Sequence, residues 1–234
     1  MGNFVNTFAY DRLVKSGLQI RLDAGNPDSY SGSGTSWNDI SGNGKNFSWN
    51  SAAYTSGANP YFSTLGKRCT GPASNSLNIN NTSGYTIYLI MYQNSLVNTS
   101  AFKFYGDVGN GRGIFSHCSW GDGNVYYDQG GCCDANQRIF ASGGTMSSWN
   151  IFVFSSSVAQ RFLYKNNSLL ASTSTAAANI GLNATAVDLG SSDEYGGASS
   201  TFDARLSQFI VYNRPLSTDE MNYNYEALRV RYSL

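Results

Sequence analysis

The 234-residue sequence carries 15 acidic and 15 basic side chains, a formal net charge of zero, and only 13% charged residues. That balance excludes a phosphate-collecting basic surface and a polybasic membrane patch, so neither nucleic acid nor a bilayer is an expected partner. Twenty-five glycines, 16 tyrosines and 13 phenylalanines against 4 prolines suit short strands joined by tight turns, and no apolar run approaches the about 18 residues of a membrane helix.

In chain order, residues 1–12 read as an N-terminal arm or edge strand ahead of a single domain over 13–234. The arm holds Phe4, Val5, Phe8 and Tyr10 between polar residues, a pattern that suits docking on a neighbouring subunit. It has no basic segment followed by an apolar one, so no signal peptide is expected and synthesis in a cytoplasm is. Asn6 stands where a myristoylation signal needs Ser or Thr. Leu18, Ile20 and Leu22 alternate with polar residues and predict a half-buried strand. Ala24–Asn46 is turn-rich. Tyr85–Tyr92 is a near-continuous apolar run of strand length and predicts a central strand. Further strands are predicted at Ala101–Tyr105, Arg112–His117, Asn124–Asp128, Arg138–Ala141, Trp149–Ser155, Gln160–Tyr164, Ser168–Ser172, Ala186–Gly190 and Leu206–Tyr212, with Asn166 and Asn167 in a hairpin turn. Ser217 followed by Glu220 is a capping box. Met221, Tyr225 and Leu228 then fall at helical spacing, so one short C-terminal helix lays a stripe on a sheet. Short strands with turn signals every 8–12 residues or so predict an all-β sandwich.

Four cysteines, Cys69, Cys118, Cys132 and Cys133, and a single histidine, His117, match no zinc spacing. Two readings stand: reduced thiols, or one loop disulfide from Cys118 to Cys132 or Cys133.

Three segments carry a family resemblance. They are Gly17–Tyr30 with Trp37–Gly44, His117–Cys133, and Leu206–Ser217 continuing through Glu220, Asn224 and Tyr225. Together they span about residues 13–231. The sequence resembles concanavalin-A-like, laminin-G-like lectin/glucanase domains, in the versions found in bacteriophage virion proteins and bacterial surface proteins. The resemblance implies a two-sheet antiparallel jelly-roll sandwich. It also implies a virion structural or surface role as a capsid decoration, fibre or appendage subunit, with other virion proteins as partners and a homo-oligomer, for instance a trimer. Ca²⁺ is the one cofactor it suggests, with Asp122 and Asp128 as the weak candidate ligands; no other cofactor is expected. Within these motifs, Trp37, Trp120 and Tyr126 read as core or turn anchors. Gly42, Gly44 and Gly123 read as positive-φ turn residues. Asp39 and Asp122 read as bonding their own loops' amides.

Catalysis is not expected. Glucanase relatives place their carboxylate pair in Glu-x-Asp-x-x-Glu, but no Glu-x-Asp occurs, and of the three glutamates Glu220 and Glu226 fall in the predicted helix. His117 lacks a Gly-x-Ser-x-Gly partner motif, and no phosphate loop is present.

Beside that virion role, binding of host-surface glycans is a further expectation. A sugar needs an exposed ring for its C–H face and polar groups for its hydroxyls. The segments Ser119–Asp128 and Ser191–Gly197 supply these types, making Trp120, Asp122, Asn124, Asp128, Asp193 and Tyr195 the candidate contacts. The alternative is a secreted or cell-surface adhesion module. Six Asn-x-Ser/Thr triplets would suit it, but a chain so rich in Asn, Ser and Thr produces them by chance.

Overall fold

The computed structural model of the chain describes residues 12–80, 82–108, 112–131, 137–144, 146–175, 180–190 and 202–234. The first eight strands are β1 (Leu18–Asp23), β2 (Ser36–Trp37), β3 (Phe47–Trp49), β4 (Tyr54–Thr55), β5 (Tyr61–Ser63), β6 (Arg68–Ala73), β7 (Tyr85–Gln93) and β8 (Phe102–Val108). Next come β9 (Arg112–His117), β10 (Asn124–Gln129), β11 (Arg138–Ser142), β12 (Trp149–Ser156), β13 (Arg161–Lys165), β14 (Ser168–Thr173), β15 (Ala186–Gly190) and β16 (Ala204–Tyr212), and α1 (Thr218–Tyr232) closes the chain. The expected N-terminal arm lies outside the described residues apart from Arg12.

The strands form two eight-stranded antiparallel sheets. The first runs β14-β13-β12-β7-β16-β5-β4 with β1 also on β16; the second runs β11-β10-β9-β8-β15-β6-β3-β2. They stack face to face. One core receives Ile87, Leu89, Phe152, Phe154 and Phe209 from the first sheet and Phe102, Phe104, Ile114, Val125, Tyr127 and Leu189 from the second. This is the two-sheet sandwich expected of the sequence.

Why Tyr85–Tyr92 is apolar almost throughout follows from its place. Ile87, Leu89 and Met91 point into the sandwich core. Tyr88 and Ile90 point the other way, into a second apolar layer with Ile151, Val153, Ile210 and Tyr212 beneath α1. A strand buried on both faces cannot alternate with polar residues. The helix covers that layer with Met221 and Leu228, and its first turn carries the expected capping box: Ser217 Oγ accepts from the Glu220 amide while Glu220 accepts from the Ser217 amide. The cap orients Glu220 so that Arg214 also closes on it, at 2.6 and 2.8 Å.

The short strands β2 to β6 were not among the expected elements. β2 to β5, of two or three residues, give no period to read, and Gly71-Pro72 breaks the pattern of the six-residue β6. Their aromatic residues nonetheless fill the core, where Trp37 stacks on Trp49 at 6.0 Å and both meet Phe62. Asp39 binds the amides of Arg21, Ser41 and Lys45, pinning the turn-rich segment to β1. Gly42, Gly44 and Gly123 all have positive φ. Between β13 and β14, Asn166 and Asn167 both sit at positive φ, the two-residue turn whose twist matches antiparallel strands. Cys69 and Cys118 are buried free thiols, and burial pushes Cys118 up to about 12. Cys132 and Cys133 lie outside the described residues.

Candidate functional site

The two outer faces of the sandwich differ in chemistry. That of the first sheet is apolar and roofed by α1. That of the second sheet is polar and aromatic, and alternation explains its content: Val125, Tyr127 and Ile139 go inward, so Asn124, Tyr126, Asp128, Arg138 and Phe140 go outward. Strand register arranges these side chains in two rows. In the first, Arg138, Asp128, Phe115, Lys103, Asp188 and Thr70 are successive partners across β11, β10, β9, β8, β15 and β6. In the second, Phe140, Tyr126 and His117 are partners across β11, β10 and β9.

The first row is built of charge pairs. Arg138 Nε and Nη2 donate to the two oxygens of Asp128, both at 2.5 Å. Burial raises the Asp128 carboxyl, but the Arg138 hydrogen bonds, with His117 beside them, outweigh it and hold the group below its ordinary value. Farther along, Asp188 accepts from Tyr105 at 2.7 Å and from Thr70 at 3.1 Å. The Lys103 ammonium lies over the rings of Tyr105 and Phe115 at 4.3 and 4.8 Å.

The second row is an aromatic platform. Tyr126 and Phe140 are nearly parallel, with centroids 5.3 Å apart. Trp120 meets His117 edge-on at 4.6 Å and Tyr126 at 6.4 Å. The Arg138 guanidinium lies 4.5 Å from the Tyr126 ring centre, so the ion pair braces the platform from below. Trp120 and Tyr126 are half-buried and Phe140 is 56% exposed.

A rigid loop sets Trp120 at the platform's end. Trp120 and Asn124 bond through Trp120 N–H, and the Gly123 amide returns to the Trp120 carbonyl, both at 2.9 Å. Gln93 clamps the loop's base: its oxygen accepts from the Ser119 amide and its nitrogen donates to the Ser119 carbonyl. The Cys118–Ser119 peptide is cis. Asn98 accepts from Gly121. At the tip, Asp122 accepts from the Asn124 amide, the Asn124 side chain and the Tyr126 hydroxyl at 2.9, 2.9 and 2.6 Å. Those bonds, the Tyr126 hydroxyl first, hold the Asp122 carboxyl below its ordinary range.

Four of the six expected contacts can be placed. Trp120, Asp122 and Asn124 come together on the loop, with Asp122 exposed and Trp120 and Asn124 half-buried. Asp128 does not join them as an exposed contact: it is 1% exposed and both its oxygens are spent on Arg138. It is a support of the platform, and that corrects the expectation. Its outward strand position was legible; the Arg138 that covers it sits on a neighbouring strand. Asp193 and Tyr195 lie outside the described residues. Phe140 and Arg138 were missed, although the alternation of Arg138-Ile139-Phe140-Ala141 puts both on the face opposite buried Ile139.

The residues do not fit a Ca²⁺ site. Such an ion takes six to eight oxygens. Asp122 already accepts three hydrogen bonds, and Asp128 is closed by Arg138. Among the described residues no three His, Cys, Asp or Glu side chains gather to hold a metal.

Ser100, His117 and Asp128 do form a line, with Ser100 Oγ 3.2 Å from His117 Nδ1 and Asp128 Oδ2 3.4 Å from Nε2. By residue type this is a hydrolase triad. By access it is not, because Ser100 is 0% exposed and Asp128 is engaged by Arg138. The packing gives the hydroxyl no route to an external carbonyl.

No protein-family model matches the chain, and no curated protein matches it. Solved structures do match in fold. The binding domain of Paraclostridial Mosquitocidal Protein 1 superposes with a TM-score of 0.67 at 18% identity, over 91% of this chain and 53% of that one. The receptor binding domain of botulinum neurotoxin C/D mosaic serotype gives 0.68 at 12% identity, over 92% and 52%. A Trypanosoma rangeli sialidase gives 0.63 at 13% identity, over 92% and 33%. The chain therefore spans about half of the toxin binding domains and a third of the sialidase. These likenesses are of fold alone: a two-sheet β-sandwich.

Proposed function

We propose that this chain is a non-enzymatic carbohydrate-binding module whose contact surface is the platform of Trp120, Tyr126 and Phe140 with Asp122 and Asn124 at its rim. The observation that carries this reading is the placement of flat rings, Phe140 exposed and Trp120 and Tyr126 half-buried, beside oriented polar groups on a loop held by Gln93 and Asn98. Rings cover the C–H face of a pyranose, and the polar rim takes its hydroxyls. A pre-ordered surface avoids the entropy cost of ordering itself on binding. Burial of Ser100 and the absence of a Glu-x-Asp sequence support a role without catalysis.

The resemblance of the His117–Cys133 segment to virion proteins supports a setting on a virus particle, as a decoration, fibre or appendage subunit beside other virion proteins. A single shallow site binds weakly, and several copies on one particle, a trimer included, would supply avidity. A second setting, a secreted or cell-surface adhesion module, is favoured by the toxin binding domains among the fold neighbours. It uses the same surface.

A glycan array probed with the purified chain and with Trp120→Ala tests the binding. The reading expects sugar binding that the substitution abolishes while the unfolding midpoint holds. Unchanged binding by the variant would reject this surface. Mass spectrometry of purified particles tests the setting: a stoichiometric copy number supports the virion role, and recovery only from culture medium supports the adhesion module.

A further inference from the structure

We infer that the platform selects uncharged sugars that donate their hydroxyl hydrogens, and that it rejects sialylated, sulfated and uronic-acid glycans. The inference rests on the carbohydrate-binding reading above and names the ligand class of that site.

The hydrogen bonds of the rim decide what it has left to offer a ligand. Asn124 has one side-chain nitrogen, which donates to Asp122 at 2.9 Å and also faces the Tyr126 hydroxyl at 3.4 Å. The Tyr126 hydroxyl spends its one hydrogen on Asp122 at 2.6 Å. The amides of Gly121, Gly123 and Asn124 are bound to Asn98, to the Trp120 carbonyl and to Asp122. These rim donors are therefore committed within the protein. Acceptors remain. Two carboxylate oxygens offer about four lone-pair sites, and Asp122 uses three of them. Asn124 Oδ1 and the second lone pair of the Tyr126 oxygen belong to the same cluster.

Charge points the same way. Asp122 is an exposed carboxylate, and its hydrogen bonds keep it ionised. The nearest guanidinium, Arg138, is joined through two nitrogens to Asp128, so the pair is neutral as a unit. Lys165 donates to the Gly143 carbonyl at 2.6 Å and keeps its charge. An anionic sugar at this rim would meet the exposed Asp122 carboxylate at the loop's tip. Like charges brought together at an interface select strongly against the wrong partner. A neutral hexose satisfies the rim by donating two or three hydroxyls and lays its C–H face on Tyr126 and Phe140.

The test is a paired array at neutral pH and moderate salt. One arm carries neutral galacto-, gluco- and manno-configured oligosaccharides. The other carries the same chains capped with sialic acid, sulfate or a uronic acid. The chain, Asp122→Asn and Phe140→Ala are each applied to both arms. The inference expects binding to neutral glycans at least about tenfold tighter than to the acidic counterparts. It also expects Asp122→Asn to narrow that ratio, since the amide removes the charge and adds a donor. Equal or preferential binding of acidic glycans would overturn the inference while leaving the carbohydrate reading standing. Binding to neither arm would overturn both. Phe140→Ala guards against a folding artefact, because an exposed ring can be truncated without disturbing the core; it should weaken neutral binding and leave the thermal midpoint in place.

Discussion

Asp128 and Arg138 are registered partners on adjacent strands and close a two-pronged ion pair with both N···O distances at 2.5 Å. The carboxylate is buried and the guanidinium mostly so, and the guanidinium also underlies the Tyr126 ring. One contact thus serves two purposes, holding β11 on β10 and fixing the tilt of the ring that a ligand would touch.

Removing one partner of a buried pair strands the other. Asp128→Ala is expected to cost about 3 kcal/mol of stability, read from urea unfolding curves. Arg138→Lys is expected to destabilise as well, because an ammonium cannot reproduce the paired geometry. A change within about 0.5 kcal/mol, the scale of ordinary surface substitutions, would mean that the pair does not hold the face.

Phe140 is the converse case. At 56% exposure it contributes little to the core, so Phe140→Ala should leave stability within about 0.5 kcal/mol. If the ring lies under a sugar, the same variant loses about 1 kcal/mol of binding, roughly a fivefold rise in Kd. Calorimetry on the tightest array ligand measures the one, and thermal melts the other.

At the core, the Tyr127 hydroxyl donates to that of Tyr85 at 2.5 Å, with both rings fully buried. Burial raises both hydroxyls above the ordinary tyrosine range, so they stay neutral donors through physiological pH. Tyr127→Phe deletes the donor to Tyr85 and is expected to cost about 1–2 kcal/mol. Chemical denaturation of the variant at pH 7 checks it.

Acid should act on the helix cap. The Arg214 hydrogen bonds, and then the Ser217 amide, hold Glu220 at about 2, against an ordinary value of 4.5. A carboxylate depressed in the folded state stabilises above its unfolded pKa, and that stability is lost as pH falls through the folded value. The contribution is therefore complete above about pH 4.5 and gone near pH 2. The pair is partly exposed, so its size is that of a surface bridge, about 0.5 kcal/mol. Unfolding midpoints between pH 2 and 6 should fall less steeply for Glu220→Gln than for the unaltered chain.

The residues most legible in the sequence were those whose position a period or a cap dictates. Tyr85–Tyr92 was readable as a central strand, and Ser217 with Glu220 as a helix start, because each signal lies within a few residues. The pair Trp37 and Trp49 belongs to strands of two and three residues, too short to show alternation, and only the folded sandwich brings the rings together. At the site, Trp120, Asp122 and Asn124 were readable as one loop. Asp128 was misjudged because a carboxylate in a polar motif reads as exposed until its cation is known, and Arg138 sits ten residues away on the next strand. Phe140 was overlooked for the opposite reason, since a phenylalanine in a strand is ordinarily counted as core.

On the proposed reading, ligand meets this protein on the outer face of its second sheet. Backbone and indole NMR shifts, followed while the tightest neutral oligosaccharide from the array is added, test that directly. Shifts concentrated on Trp120 to Asn124, Tyr126 and Phe140 are the expected result. Shifts gathered at the cleft lined by Asn75, Ile79, Asp107 and Leu182, with the Trp120 indole unmoved, would contradict it.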